Sequence, residues 1–310
     1  PKFILDKKRS IISVSPKLDI ALNGGIASGS WGIISGKPKL GKTLTSLKII
    51  ANAQKEGFRA YYFDIENRLR KKNLTGIPEL DLSEDKLQIV TSTKGNILTA
   101  EKNLEIAESL LKNEERIIIV LDSTSALCPN KEYDAEISGQ GRSESPRLLA
   151  TFTRKLANIV SVQDSIIILL QHIIANTSGY GSPYSEDGGN KILFQASFKL
   201  RGKGFTKWSD ASTNKQIGQI VNWEVVYSDL GSPGEVVDSY LRYGIGIDVI
   251  WENTELGIDL GLISKSGAWY SIDYLKEPIK FQGQHKLWDY LSENPKDLEL
   301  LELKIKENFQ

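Results

Sequence analysis

Only one cysteine, Cys128, occurs in this chain of 310 residues, so no internal disulfide can form. Methionine is absent altogether, and histidine appears twice. No apolar run reaches the roughly 18 to 20 residues that a membrane-crossing helix needs. The opening stretch PKFILDKKRSIISVSPKLDI lacks the apolar core of a signal peptide. A reduced, cytoplasmic setting with no membrane contact is the expectation. Charge of one sign is not in excess either: 39 Lys and Arg balance 39 Asp and Glu. Any basic footprint for nucleic acid must therefore be local. What the chain does have is 40% apolar residues, enough at this length for one large α/β core and a small accessory unit.

Its most informative segment is GKPKLGKT, a complete G-x-x-x-x-G-K-[ST] pattern formed by Gly36, Lys37, Pro38, Lys39, Leu40, Gly41, Lys42 and Thr43. The apolar stretch Trp31-Gly32-Ile33-Ile34 precedes it, and Leu44 to Ile50 has helical spacing behind it. A loop joining a buried strand to a helix N-terminus directs successive backbone N–H groups at one anionic pocket. Lys42 would neutralise the β- and γ-phosphates of a nucleotide, and Thr43 would place a hydroxyl on Mg2+. The bland alternative is a Gly/Pro/Lys surface loop, which the flanking strand and helix disfavour.

The remainder alternates apolar strands with amphipathic helices, the form of a parallel, mostly doubly wound sheet. Strands are expected at Trp31 to Ser35, Ala60 to Asp64, Ile117 to Asp122 and Ser165 to Leu170. Helices are expected at Leu44 to Gln54, Asn96 to Lys112 and Pro146 to Val160, the second with Ile97, Ala100, Leu104, Ala107 and Leu111 on one face. Segments 194–200, 216–227 and 236–243 read as β-rich, and the part after about Asp248 as short and helical. These signals suggest an N-terminal segment 1–30, a core 31–247 and a small C-terminal domain 248–310.

Ligands of open α/β sheets bind at the carboxyl edge, which makes the strand ends candidates. Asp122 suits a Mg2+ contact, the alternative being a helix N-cap ahead of Ser123-Thr124-Ser125. Asp64 and Glu66, two apart, would point to one side if their strand persisted, and Glu66, lying nearer the phosphates, can align the attacking water. Solvated strand-end charges are the plain reading of such a pair. His172 can hydrogen-bond a γ-phosphate and report its presence to the polar, Gly-rich segment that starts just beyond it.

That segment carries Tyr180 and Tyr184, rings suited to stacking on single-stranded bases, although a surface loop would look similar. A second Gly/Ser-rich stretch, 131–147, ends at Arg147. Arg147 and Arg154 lie seven apart, two helical turns, and could track a phosphate backbone together. KLRGKGFTK at 199–207 is a further basic run, or a solvated hairpin.

In order, the P-loop, FDIEN, IIIVLDSTSAL, LLQHI, DGGNKILFQASFKL, YLRYGIGID and SKSGAWYS resemble the RecA recombinases from about Leu18 to Ser271. His172 at the sensor position and PKLDIALNGGI near the start look more like the phage UvsX type than the bacterial type, whose sensor is glutamine. The resemblance implies a RecA-like P-loop ATPase core with a small C-terminal α/β domain, and a DNA-dependent ATPase using ATP and Mg2+. It implies polymerisation on single-stranded DNA as a helical filament, strand exchange into duplex DNA, and a single-strand-binding protein and a mediator as further partners. By motif, Lys42 and Thr43 carry phosphate and metal, Glu66 the water, Asp122 the metal relay, His172 the sensor and Tyr243 a place near the adenine. Arg142, Arg147, Arg154, Tyr180, Tyr184, Gly188, Gly189 and Asn190 fall in or behind the two DNA-binding loops.

Departures accompany the match. Where the family brings lysines across the subunit interface, the nearest positions here are Tyr227 and Asp229, with Lys215 as a substitute cation. Ile174 and Asn176 stand where basic residues follow the sensor. The segment before Trp31 is expected to be a remnant of the N-terminal docking helix. An ATP-dependent strand-exchange protein is the leading reading; a ring-forming motor or regulatory ATPase and an ATP-gated DNA-binding scaffold with little hydrolysis are the rivals.

Overall fold

The computed structural model describes residues 8–136, 144–175, 184–186, 192–210 and 213–309. A small antiparallel pair, β1 (Ile11–Ile12) and β2 (Ile26–Ala27), brackets helix α1 (Pro16–Ala21), whose N-cap Ser15 accepts from the Leu18 amide. The core then runs β3 (Trp31–Gly36), α2 (Lys42–Lys55), β4 (Arg59–Asp64), α3 (Lys71–Thr75), β5 (Leu87–Thr91), α4 (Ala100–Asn113) and β6 (Ile117–Asp122). It continues through α5 (Asn130–Tyr133), α6 (Ser145–Val162), β7 (Ile166–Ala175) and β8 (Tyr184–Glu186). After these come β9 (Phe198–Ser209), β10 (Gln216–Ser228), β11 (Val236–Arg242) and β12 (Gly246–Ile247).

In the large sheet the order is β12-β11-β10-β9-β3-β7-β6-β4-β5, with β8 paired to β7. From β9 through β5 all neighbours are parallel, while β10, β11 and β12 extend the sheet antiparallel. Central parallel strands are covered on both faces, which is why β3 and β6 read as unbroken apolar runs. Alternate residues feed two separate cores. Ile34, Tyr62, Val120, Ile168 and Leu170 pack on the face of α2, and Ile33, Phe63, Ile119, Ile167 and Leu169 on the face of α4 and α6. Each such aliphatic side chain contributes about 1.5–3 kcal/mol by its burial, so a one-residue slip in any of these strands is heavily disfavoured.

Several expectations need correction. The helix expected from Asn96 starts at Ala100; Thr93 and Asn96 form a bridge before it, and Ile97 is exposed while Ala100, Leu104, Ala107 and Leu111 are buried. Strand β7 runs past His172 to Ala175 because β8 supplies it with an antiparallel partner. The basic run 199–207 is the hairpin of its plain reading: it lies in β9 and pairs antiparallel with β10, exposed at Lys203 and from Phe205 to Lys207, while its first residues lie inside the main sheet beside β3.

The C-terminal part is also more than helical. It comprises α7 (Val249–Asp259), a three-stranded antiparallel sheet of β13 (Ile263–Ser266), β14 (Trp269–Ile272) and β15 (Ile279–Gln282), then α8 (Gln284–Glu293) and α9 (Pro295–Phe309). Ile263, Tyr270, Ile272, Leu287, Leu291, Leu301 and Ile305 give it a core of its own.

Candidate functional site

The site forms where β3, β6 and β7 end beside the start of α2. Strand parity places Asp122 on the side of Val120 and His172 on the side of Leu170, the face that α2 covers. Gly41 enters α2 with φ 82°, and a Cβ there would meet Leu241 Cδ1 at 2.1 Å, so only glycine fits. It supplies no side-chain cap, leaving the first-turn amides of α2 free to face an anion.

Lys42 is buried, and its Nζ donates to the Gly36 carbonyl at 2.8 Å and the Lys37 carbonyl at 3.1 Å. Burial lowers its pKa against the opposing pull of Asp122 and Glu66. The same Nζ lies 3.4 Å from His172 Nδ1, and His172 Nε2 lies 2.7 Å from Glu66 Oε1. An ammonium only donates, so Nδ1 accepts from it and the ring carries its hydrogen on Nε2 toward the carboxylate. Ser123 Oγ donates to the same Glu66 oxygen at 2.6 Å, and Arg68 pairs with Oε2 at 2.9 Å. Burial raises the Glu66 pKa, but the hydrogen bonds from Ser123 and His172 and the nearby charges outweigh it and hold the carboxyl below its usual value.

Asp64 does not share this place. Its two oxygens accept from the Arg68 and Leu69 amides at 3.0 and 2.9 Å, so it shapes the turn that delivers Glu66 and does not project beside it. The chain leaves the strand at Asp64, which breaks the alternation assumed for the pair.

Asp122 Oδ2 accepts from Thr43 Oγ1 at 2.8 Å and from the Tyr62 hydroxyl. Burial pushes the Asp122 carboxyl up, with those two hydrogen bonds opposing. A hydroxyl and a carboxylate are hard oxygen donors of the kind Mg2+ takes while keeping several waters, so Thr43 and Asp122 fit that ion.

On the other side of the loop, Gln219 Nε2 donates to the Lys39 carbonyl at 3.1 Å. Gln216 Nε2 donates to the Tyr243 hydroxyl at 2.6 Å, and the Tyr243 ring is largely exposed. Arg147 and Arg154 are both exposed on α6. Arg142, Tyr180, Gly188, Gly189 and Asn190 lie outside the described residues, and of Tyr184 only the backbone falls within them.

Tyr62, Ser123, Arg68, Gln216 and Gln219 escaped the reading of the sequence. Tyr62 was within reach of it, because it alternates with Ala60 and Asp64 toward the face of α2; the glutamines carried no local pattern.

Comparison with known proteins fits this geometry. The family model for the RecA N-terminal domain matches residues 6–248, and that for the RecA C-terminal domain matches 253–310. The chain belongs to the RecA family. It is 31% identical over 293 residues to Protein RecA of Azospirillum lipoferum, covering 94% of this chain and 78% of that protein. With Protein RecA of Campylobacter hominis it shares 32% identity over 297 residues, 94% of this chain and 81% of the relative. The chromosomal Protein RecA of Lactococcus lactis is 32% identical over 306 residues, 97% and 76% of the two chains. The RecA match spans both the nucleotide-loop core and the small α/β domain behind it.

Proposed function

We propose that this RecA-family chain is a recombinase and DNA-dependent ATPase that assembles on single-stranded DNA as a helical filament and exchanges that strand into homologous duplex. One observation carries the reading: a continuous chain of contacts from Lys42 through His172 to Glu66, at the end of the strand that leads into the Gly-rich segment. Such a chain ties the phosphate-binding lysine, the water-activating carboxylate and the DNA-facing loop to one imidazole.

In this reading Gly36 through Thr43 hold the triphosphate of ATP, and Thr43 with Asp122 hold Mg2+. The cation supplies charge neutralisation as the phosphoryl group departs. Glu66 orients and partly deprotonates the attacking water, Lys42 stabilises charge on the phosphates, and His172 senses the γ-phosphate. Tyr243 lies near the adenine. Arg147 and Arg154 contact the DNA backbone, together with Arg142, Tyr180, Tyr184, Gly188, Gly189 and Asn190.

His172 favours the UvsX type of recombinase over the glutamine-sensor type, with a cytoplasmic setting and a single-strand-binding protein and mediator as partners. Tyr227, half-buried within β10, and Asp229 stand where the family's interface lysines would be, which favours a second reading, an ATP-gated DNA scaffold with slow turnover. Electron microscopy with single-stranded DNA and a non-hydrolysable ATP analogue tests the first reading: a helical filament is expected, and rings or monomers would overturn it. DNA-stimulated phosphate release then separates the recombinase from the scaffold.

A further inference from the structure

Three of the chain's six tryptophans surround one arginine. The Arg242 guanidinium carbon lies 4.6 Å from the Trp208 ring centre, 4.9 Å from that of Trp288 and 5.8 Å from that of Trp251. Its Nε pairs with Asp248, a carboxylate that is itself buried. Among the described residues its Nη2 has no hydrogen-bond partner, so ring faces and a single carboxylate hold the cation. Asp248 is also the N-cap of α7, accepting from the Trp251 amide at 2.9 Å, and it accepts from Trp288 Nε1 of α8 at 2.9 and 3.1 Å. Arg242 and Asp248 thereby join the end of β9, the end of β11 and two helices of the C-terminal domain.

Leu241, the residue before Arg242 on β11, faces the other way. Leu241 closes on Gly41 of the phosphate loop. Tyr243 continues the ladder through its amide to the Ile217 carbonyl at 2.9 Å, and Gln216 fixes its hydroxyl. Leu241 and Arg242 close β11 and Tyr243 opens the turn beyond it, so three consecutive residues meet the phosphate loop, the C-terminal domain and the Gln216 side of the site.

We propose that Arg242 is a positioning residue for nucleotide-base recognition: its tryptophan box anchors the end of β11 to the C-terminal domain and so sets the place of the next residue, Tyr243, against which the base rests. This rests on the reading of Tyr243 given above. Lys42, Thr43 and Glu66 take their hydrogen bonds from the loop, Asp122, Ser123 and His172 and none from the box, so loss of the box weakens binding of the base more than that of the phosphates.

The test measures ATP and inorganic tripolyphosphate affinities of the full chain by competition, together with kcat. Arg242→Met strands the Asp248 charge, so the double variant Arg242→Met with Asp248→Asn is measured beside it. ATP affinity is expected to fall about fivefold to tenfold, with tripolyphosphate affinity and kcat at saturating ATP kept within about twofold. Unchanged ATP affinity, or an equal loss for both ligands, overturns the proposal. Should neither variant fold, Trp288→Phe, which keeps the ion pair, must still reduce the preference for ATP over tripolyphosphate; an intact preference overturns it. Tyr243→Ala separates the underlying reading: if it retains the full preference for ATP, the base itself is wrongly placed, whatever Arg242 does.

Discussion

His172 Nε2 and Glu66 Oε1 lie 2.7 Å apart although 106 residues separate them in the chain. The imidazole keeps the carboxylate in place from one side and Ser123 does so from another, and together they leave Glu66 ionised and oriented. Glu66→Gln preserves shape and most of the hydrogen bonding but removes the basicity. ATP binding should persist in that variant while turnover falls by about a hundredfold or more. Steady-state phosphate release beside a direct nucleotide titration checks this, and an unchanged kcat would assign the water to another group. Asp64 is a poor candidate for that group, because both its oxygens are already committed to backbone amides.

Lys42→Ala removes the buried ammonium of the phosphate loop. Its ammonium already bridges two loop carbonyls and the His172 ring, so the variant loses phosphate binding and loosens the sensor as well. ATP affinity should drop by roughly a hundredfold and hydrolysis should disappear. Single-turnover hydrolysis at near-normal rate would remove the phosphate-loop assignment.

Much of the core was legible because its signals are local. A short apolar run rich in β-branched residues, such as Ile117 to Leu121, favours a strand buried on both faces over a helix, and the glycine and lysine spacing of residues 36–43 fixes its own backbone requirements. Spacing overshot where it outran capping: Ile97 fits the helical stripe of Leu104, yet the helix begins only at Ala100. The C-terminal sheet was hidden for a different reason. Each of its strands is four residues long and β13 is exposed after Ile263, so the alternation that β15 carries, Ile279-Lys280-Phe281-Gln282, spans only two apolar positions and does not stand out. At the site, the identities of Lys42, Thr43, Glu66, Asp122 and His172 could be read as strand-end candidates. Their mutual contacts could not, because Tyr62 with Asp122, or Ser123 with Glu66, follows from the sheet order and from no sequence interval.

Asp19 gives the fold a pH dependence. The half-buried carboxyl accepts from Ser13 Oγ at 2.5 Å and the Val14 amide at 2.7 Å, next to Glu252, which joins α1 to α7 through the Lys17 amide at 3.2 Å. Burial, and to a lesser degree Glu252, push the Asp19 pKa up to about 7 from an ordinary 3.8, with the two hydrogen bonds opposing. A carboxyl whose folded value is raised binds its proton more tightly in the native state. Its stabilising contribution is complete below about pH 4 and is lost as the pH rises through 7. Thermal unfolding should therefore show the native protein losing stability, on the order of 2 kcal/mol, between pH 5.5 and 8 relative to Asp19→Asn. Parallel melting curves for the two proteins over that range would rule the linkage out.

The position of His172 also predicts how nucleotide and DNA are coupled. Its ring touches the phosphate-loop lysine, its amide donates to Ser125 Oγ at 3.0 Å, and its strand runs on only to Ala175 before the Gly-rich segment. A γ-phosphate that draws the ring away from Glu66 biases everything downstream of β7, so ATP should tighten binding to single-stranded DNA relative to ADP. His172→Ala should erase that difference while leaving ATP affinity nearly intact. Arg147, exposed on α6, lies outside this relay. Arg147→Ala should weaken DNA binding equally with either nucleotide and reduce the salt dependence by about one phosphate contact. Fluorescence anisotropy with a labelled oligonucleotide at one fixed salt concentration compares all three proteins, a salt titration of the native protein and Arg147→Ala reads the slope, and equal affinity of the native protein in ATP and ADP would dispose of the switch.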